Sequence, residues 1–266
     1  LRALVPAALA VLLLAPATPA QQVQVPVPVP DRIPNPDHVP QDGTYQGRFI
    51  AQVMSYLGAD WLVRDSRVAE EQPDKMLAAL EIQKGMTVAD VGAGVGYHSL
   101  KLARLVGPSG TVYATDIQPQ MIRMLKSRLA ASKLRNVKPV LCTQDDPKLP
   151  EGAVDLILMV DVYHEMSNPE PSMKALKRAL KPGGRLVLVE FRGEDPEVPI
   201  KPEHKMTVAQ VRKEIEPLGF RLAVKHDFLP WQHILVFEKP ADAAEGTPAP
   251  GPAEGAAQPA PAAPSE

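Results

Sequence analysis

Apolar positions along the middle of the chain follow two rhythms that take turns. Short runs are apolar throughout, as in Leu156-Ile157-Leu158-Met159-Val160, and between them apolar residues recur every three or four positions, as at Met121, Ile122, Leu125 and Leu129. The first rhythm belongs to strands covered on both faces, the second to helices lying against a sheet. The pattern predicts strands at 87–91, 111–116, 137–142, 154–160 and 185–191, with helices at 97–106, 119–132 and 169–180 between them. Such alternation predicts an α/β fold, a doubly wound and mostly parallel sheet. The end departs from it: a helix near 207–218 leads to strands at 220–228 and 233–238, joined by the short connection Leu229-Pro230-Trp231-Gln232. Strands so joined pair as an antiparallel hairpin, which brings the expected sheet to seven strands. Ahead of the alternation, Phe49, Ile50, Val53, Met54 and Leu57 recur at helical spacing and predict a helix over 47–57. Pro73 opens another helix through Leu80, in the first turn where its missing N–H costs little.

The ends read differently. Many of the 30 prolines lie outside the core, including Pro26, Pro28 and Pro30 before it and Pro248, Pro250 and Pro252 after it. Such stretches are expected to be extended linkers. Arg2, the apolar segment 3–15 and Ala17-Thr18-Pro19-Ala20-Gln21 have the order of a secretory signal cleaved after Ala20. The apolar segment is shorter than the ~20 residues of a membrane span and contains Pro6, so no stable span is expected, and no cysteine near the cut suggests a lipid anchor. The expected organisation is a signal peptide at 1–20, a Pro-rich linker at 21–44, a helical lid region at 45–72, the main domain at 73–239 and a disordered Pro/Ala-rich tail at 240–266. The expected location is periplasmic or otherwise extracytoplasmic, or cytoplasmic where the signal does not act.

A net charge of −2 gives no general attraction to nucleic acid, and the basic residues Arg123, Lys126, Arg128, Lys133, Arg135 and Lys138 read as the solvated side of one helix. The single cysteine, Cys142, forms no internal disulfide and reads as a buried thiol on a core strand. With neither CxxC nor a His-rich spacing, no metal site is expected.

The candidate chemistry starts in Val88-Ala89-Asp90-Val91-Gly92-Ala93-Gly94-Val95-Gly96-Tyr97. A strand here ends in an acid and runs into three alternating glycines, a strand-to-helix turn that lets a nucleoside touch the backbone. Asp116 ends the next strand, where it can accept hydrogen bonds from both hydroxyls of a ribose. A dinucleotide site spaces its glycines as G-x-G-x-x-G to seat a pyrophosphate; here they alternate and position 97 is Tyr, which disfavours an NAD-dependent oxidoreductase.

These residues resemble a class I S-adenosylmethionine-dependent methyltransferase over roughly 73–239. The resemblance rests on Asp90-Val91-Gly92-Ala93-Gly94-Val95-Gly96, on Asp116, on Leu180-Lys181-Pro182-Gly183-Gly184-Arg185-Leu186 and on the terminal hairpin. It implies a Rossmann-like methyltransferase fold with S-adenosyl-L-methionine as cofactor. Gly92 and Gly94 are expected against the cofactor. Asp90 either orients the turn or reaches the ligand through water, and Gly96 either lines the site or serves packing. Asp116 is expected at the ribose, and Asp145, or its neighbour Asp146, at the adenine. Ile117 and Asp161 at two strand ends complete the expected cofactor set.

The segment Asp161-Val162-Tyr163-His164-Glu165-Met166 follows the fourth strand, on the side where open α/β sheets bind ligands. His164 is the base candidate, because its ordinary pKa is near neutrality, with Tyr163 and Glu165 beside it. In this place His164 resembles the ubiquinone and menaquinone C-methyltransferases. The Asn/Asp-Pro-Pro-Tyr motif of many amino-nitrogen methyltransferases is absent, which points to a small-molecule acceptor and away from nucleic acid. Trp61 and Arg64 either cap the pocket or pack a helix; His204 and His233 are expected to be loop and hairpin residues. Export conflicts with a cofactor made in the cytoplasm. An exported, noncatalytic nucleoside-binding protein on the same scaffold therefore stays open as an alternative.

Overall fold

The structure is a computed structural model that describes residues 43–240. The expected signal peptide, most of the linker and nearly all of the tail lie outside the described residues. In chain order the elements are β1 (Thr44–Tyr45), β2 (Arg48–Phe49), α1 (Arg67–Glu71), α2 (Pro73–Ala79), β3 (Thr87–Val91), α3 (Tyr97–Val106), β4 (Thr111–Asp116), α4 (Pro119–Ser132) and β5 (Val137–Leu141). They continue with β6 (Val154–Val160), α5 (Pro169–Ala179), β7 (Leu180–Arg192), β8 (Lys205–Met206), α6 (Val208–Ile215), β9 (Arg221–His226) and β10 (Gln232–Glu238). Seven strands run β5-β4-β3-β6-β7-β10-β9, the first five parallel and the last two antiparallel. The two-residue β8 pairs with β7 as an eighth strand.

Apolar residues on both faces explain the wholly apolar strands. Ala89, Ile157, Met159, Leu186, Leu188 and Phe237 pack against residues of α5 and α6, while Val88, Leu156, Leu158, Val187 and Val236 pack against α2 and α3. On α4 the stripe Ile122, Leu125 and Leu129 is buried as its spacing predicts. The period of two within the strands thus decides which helix each side chain meets.

Three expectations are corrected. Residues 47–57 are not helical: β1 and β2 form a hairpin, 50–55 have no regular secondary structure, and a 3-10 helix spans Tyr56–Val63. Phe49 and Leu57 are 74% and 56% exposed, so the helical-looking apolar set has no common core to face. The amides of Ala51, Met54 and Tyr56 instead bond to His164 O, the Glu165 carboxylate and Gln118 Oε1, satisfying through tertiary contacts what a helix would satisfy internally. Strand β5 is an edge strand with Leu141 exposed, so Cys142 is half-buried rather than deep in the core. The edge also accommodates Pro139, which has no N–H to give a ladder. Helix α6 stops at Ile215, and the next turn, Glu216–Leu218 with Pro217 inside it, is 3-10.

Short β8 matters for what it carries. One edge of β7 pairs with β10 along Arg185 to Phe191, so Phe191 and Arg192 find β8 on the other edge, past the end of β6. His204, immediately before β8, is thereby brought beside the segment that follows β6. No helix among the described residues is long and apolar enough to cross a membrane.

Candidate active site

A cavity of about 530 Å³ lies over the C-terminal ends of β3, β4 and β6. The order β4-β3-β6 places it where the winding of the sheet reverses, the usual ligand crevice of an open α/β sheet.

One wall is the glycine loop. Gly92 has φ +71°, and a Cβ there would lie 2.5 Å from Val162 Cγ2, so neither the backbone nor the space admits a side chain. Gly94 also lines the cavity, and its N–H donates to Asp116 Oδ2 at 2.9 Å. The other oxygen, Oδ1, accepts from the Gln118 N–H at 2.8 Å. Asp116 thus ties the glycine loop to the end of β4 and keeps further lone pairs for a ligand. Burial pushes its carboxyl up to about 6, against the backbone amides of Gln118, Gly94 and Ile117 that favour the ionised form. Ile117, Thr143 and Gln144 continue this wall.

The far wall follows β6. Asp161, at φ +54°, faces the cavity and accepts two hydrogen bonds from Gln232 Nε2, at 2.9 and 2.7 Å. His164 is buried, with Nδ1 2.6 Å from Glu190 Oε2 and Nε2 3.1 Å from His204 Nδ1. Burial pushes Glu190 up to about 8, while burial and the Arg48 guanidinium push His164 down to about 3. Burial is the larger cause of both shifts, since a dry site disfavours the charged form of each group. Glu165 faces the same space, accepts from the Met54 N–H at 3.2 Å, and is held well above the usual carboxylate range by burial.

Residues 50–55 form a strap that lines the cavity and is tied to His164, Glu165 and Gln118. Its ties are spread along its length: Arg48 bonds Glu214 at 2.8 and 3.1 Å and the His164 carbonyl at 3.0 Å, and Gln118 Nε2 donates to the Met54 carbonyl at 2.9 Å. Trp61 lines the cavity beyond the strap, while Arg64 stacks 3.7 Å from its ring centre and bonds Glu70 and Glu71.

Of the residues singled out in the sequence, Gly92, Gly94, Asp116, Ile117, Asp161, His164 and Glu165 meet at this cavity. The others lie elsewhere. Asp90 is buried beneath the loop, where its Oδ2 accepts from Ser99 Oγ at 2.5 Å and fixes the start of α3. Gly96 is a packing glycine, since a Cβ there would run into Leu125 Cδ1 of α4. Asp145 is exposed and accepts from Asn168 Nδ2 at 3.1 Å, and Asp146 caps its own turn through Thr143 and Lys148. Tyr163 is turned into the core, its hydroxyl donating to Glu214 at 2.7 Å, so a catalytic role for it is corrected to a structural one. His204, set aside in the sequence, lies on the cavity wall. Gln118, Glu190 and Gln232 were not singled out. Of these, Glu190 carried a signal, an acid interrupting the apolar stretch from Leu186 to Phe191, which must find a partner. Cys142 borders the cavity, and burial followed by the charge of Asp116 pushes its thiol up to about 12, which makes it a poor nucleophile.

The profile of a methyltransferase domain matches residues 82–233. A protein-L-isoaspartate O-methyltransferase from Methanothrix thermoacetophila is 35% identical over 113 residues, covering 42% of this chain and 51% of that protein. A ubiquinone/menaquinone biosynthesis C-methyltransferase from Citrobacter koseri is 32% identical over 111 residues, covering 41% of this chain and 44% of that one. The chain thus spans about half the length of these curated relatives. The crystal structure of an S-adenosylmethionine-dependent methyltransferase from Aquifex aeolicus superposes with a TM-score of 0.67 at 27% identity, over 70% of this chain and all of that one.

Proposed function

Since the chain belongs to the class I S-adenosylmethionine-dependent methyltransferase family, we propose that it methylates a small molecule by in-line transfer. The cofactor is held at the glycine-loop end of the cavity and the acceptor at the His164 end. The observation that carries this reading is that one cavity runs from Gly92, Gly94 and Asp116 to His164 and Glu165, with the strap as part of its lining. Its volume of about 530 Å³ falls within the range of small-molecule sites. The relatives' names point to different acceptors, a protein isoaspartate and a quinone pathway. A cavity of this volume, lined in part by the strap, favours a compact acceptor over a protein chain.

The walls suit the cofactor. Gly92 and Gly94 offer bare backbone for close approach, and Asp116 keeps acceptor capacity for a ribose diol after satisfying two backbone amides. When bound, the cofactor supplies a methyl group on an electrophilic sulfonium. The chain's residues supply position: the strap lines the acceptor's space, and the segment after β6 fixes the acceptor's approach. His164 is a poor free base, because Nδ1 is engaged by Glu190 and burial weakens its hold on a proton. The geometry gives no support to an NAD-dependent reading, and a noncatalytic role is not favoured by any contact at the site.

The test is incubation with a methyl-labelled donor and a panel of phenols, thiols and quinols, followed by ultrafiltration. Label in a small product supports the reading; label found only on added proteins contradicts it. Cofactor affinity is also expected to depend on pH. Asp116 titrates near 6 in the free protein and accepts best when ionised, so affinity should be level above about pH 7 and fall as pH drops through 6. Calorimetric titrations between pH 5 and 8 on the order of one unit apart check this. An affinity that rises on acidification contradicts it.

A further inference from the structure

We propose that His164, His204 and Glu165 bind one divalent transition-metal ion, of the zinc class, at the acceptor end of the cavity. One ligand atom from each residue lies within 4.8 Å of the others. The two imidazole nitrogens, His164 Nε2 and His204 Nδ1, are 3.1 Å apart, close to the ~3.3 Å that separates two nitrogens bound tetrahedrally to zinc at ~2.0–2.1 Å. Two imidazoles and a carboxylate form a borderline donor set suited to zinc or its neighbours rather than to magnesium or calcium.

The surroundings supply what such a site needs. A metal-bound imidazole usually donates its remaining N–H to a carboxylate, and Glu190 stands 2.6 Å from His164 Nδ1, which directs Nε2 towards His204. A plain hydrogen bond between the imidazoles accounts for their 3.1 Å contact, but it leaves the Glu165 carboxyl beside them with spare acceptor capacity. Among the described residues Glu165 has one backbone amide as partner and no ion pair, while Arg48 is committed to Glu214 and Arg67 to Glu71. All three ligands line the cavity, so an ion there has protein on one side and open space on the other. Three protein ligands leave a coordination position free, the arrangement of catalytic rather than structural zinc sites.

What the ion does rests on the methyltransferase reading. Its open position takes the oxygen or sulfur of an acceptor that carries an O–H or S–H group, and the proton lost on coordination passes to solvent. This narrows the acceptor to compounds with an ionisable oxygen or sulfur and gives His164 a positioning task in place of a base's.

The test titrates Zn²⁺, and Co²⁺ as a spectroscopic probe, into full-length protein made without a polyhistidine tag and stripped with a chelator. No S-adenosylmethionine is present, so a failure here does not touch the cofactor reading, which is measured by separate titration. One equivalent of Zn²⁺ should bind, with Co²⁺ giving the absorption of a four- or five-coordinate ion. His204→Ala should abolish saturable binding, and Glu190→Gln should weaken it roughly 10–100-fold. Melting curves confirm that both variants fold; should either fail to, the wild-type stoichiometry and Co²⁺ spectrum decide. Absence of saturable binding to the wild type, a six-coordinate Co²⁺ spectrum, or binding unchanged in His204→Ala overturns the proposal.

Discussion

Replacing Glu214 by leucine is expected to destabilise the domain by about 3–5 kcal/mol, the cost of leaving a buried charge without its partner. Glu214 is fully buried on α6 and gathers three elements. It accepts from Arg48 on β2, from the Tyr163 hydroxyl after β6 at 2.7 Å, and from Gln210 Nε2 at 2.7 Å. Leucine matches some of the volume but strands the Arg48 guanidinium and the tyrosine hydroxyl in a dry site. At ~2–4 °C per kcal/mol for a domain of this size, Tm should fall by roughly 6–20 °C. Because Arg48 also holds the His164 carbonyl, the strap should loosen as well, read as faster proteolysis between β2 and α1. Glu214→Gln, which keeps an acceptor for the tyrosine, should cost less. A Tm within about 2 °C of wild type for Glu214→Leu would mean that the strap's anchor lies elsewhere.

Replacing Asp116 by alanine is expected to weaken cofactor binding by about 1.5–3 kcal/mol, or roughly 10- to 150-fold, the range for losing hydrogen bonds to a charged group. Asp116 acts twice, as an acceptor facing the cavity and as the tie between the Gly94 amide and the end of β4. Asparagine serves as the milder comparison, since its amide nitrogen would face one of the two donating N–H groups. Asp145→Ala is the matching control: the resemblance gave it a place at the adenine, but its side chain meets Asn168 on the surface, so affinity should change far less than in Asp116→Ala. An Asp116→Ala protein with unchanged affinity removes that residue from the site.

Much of the sheet was legible because burial on both faces writes itself into sequence as unbroken apolar runs. Strands β3, β4 and β6 and helices α3 and α4 have the bounds their patterns predict. The glycine loop and Asp116 were legible for a related reason: the demands of a positive φ and a strand-end acid are local. What failed was non-local. The apolar spacing at 47–57 imitates a helix, but its backbone partners at His164, Glu165 and Gln118 lie more than 60 positions away along the chain. His204 reaches the cavity only through the two-residue pairing of β8 with β7, too short to leave a periodicity. Asp145 shows the opposite limit, a spacing that fits a family pattern while the side chain turns to a neighbouring loop.

The central claim, that the cavity above β3 and β4 is a methyl-donor site, is tested most directly by calorimetric titration of the protein with S-adenosylmethionine, S-adenosylhomocysteine and NADH in parallel. Saturable one-to-one binding of the first two, weakened in Asp116→Ala and absent for NADH, is the result predicted. Failure of both adenosyl compounds to bind, or NADH binding in their place, would contradict it.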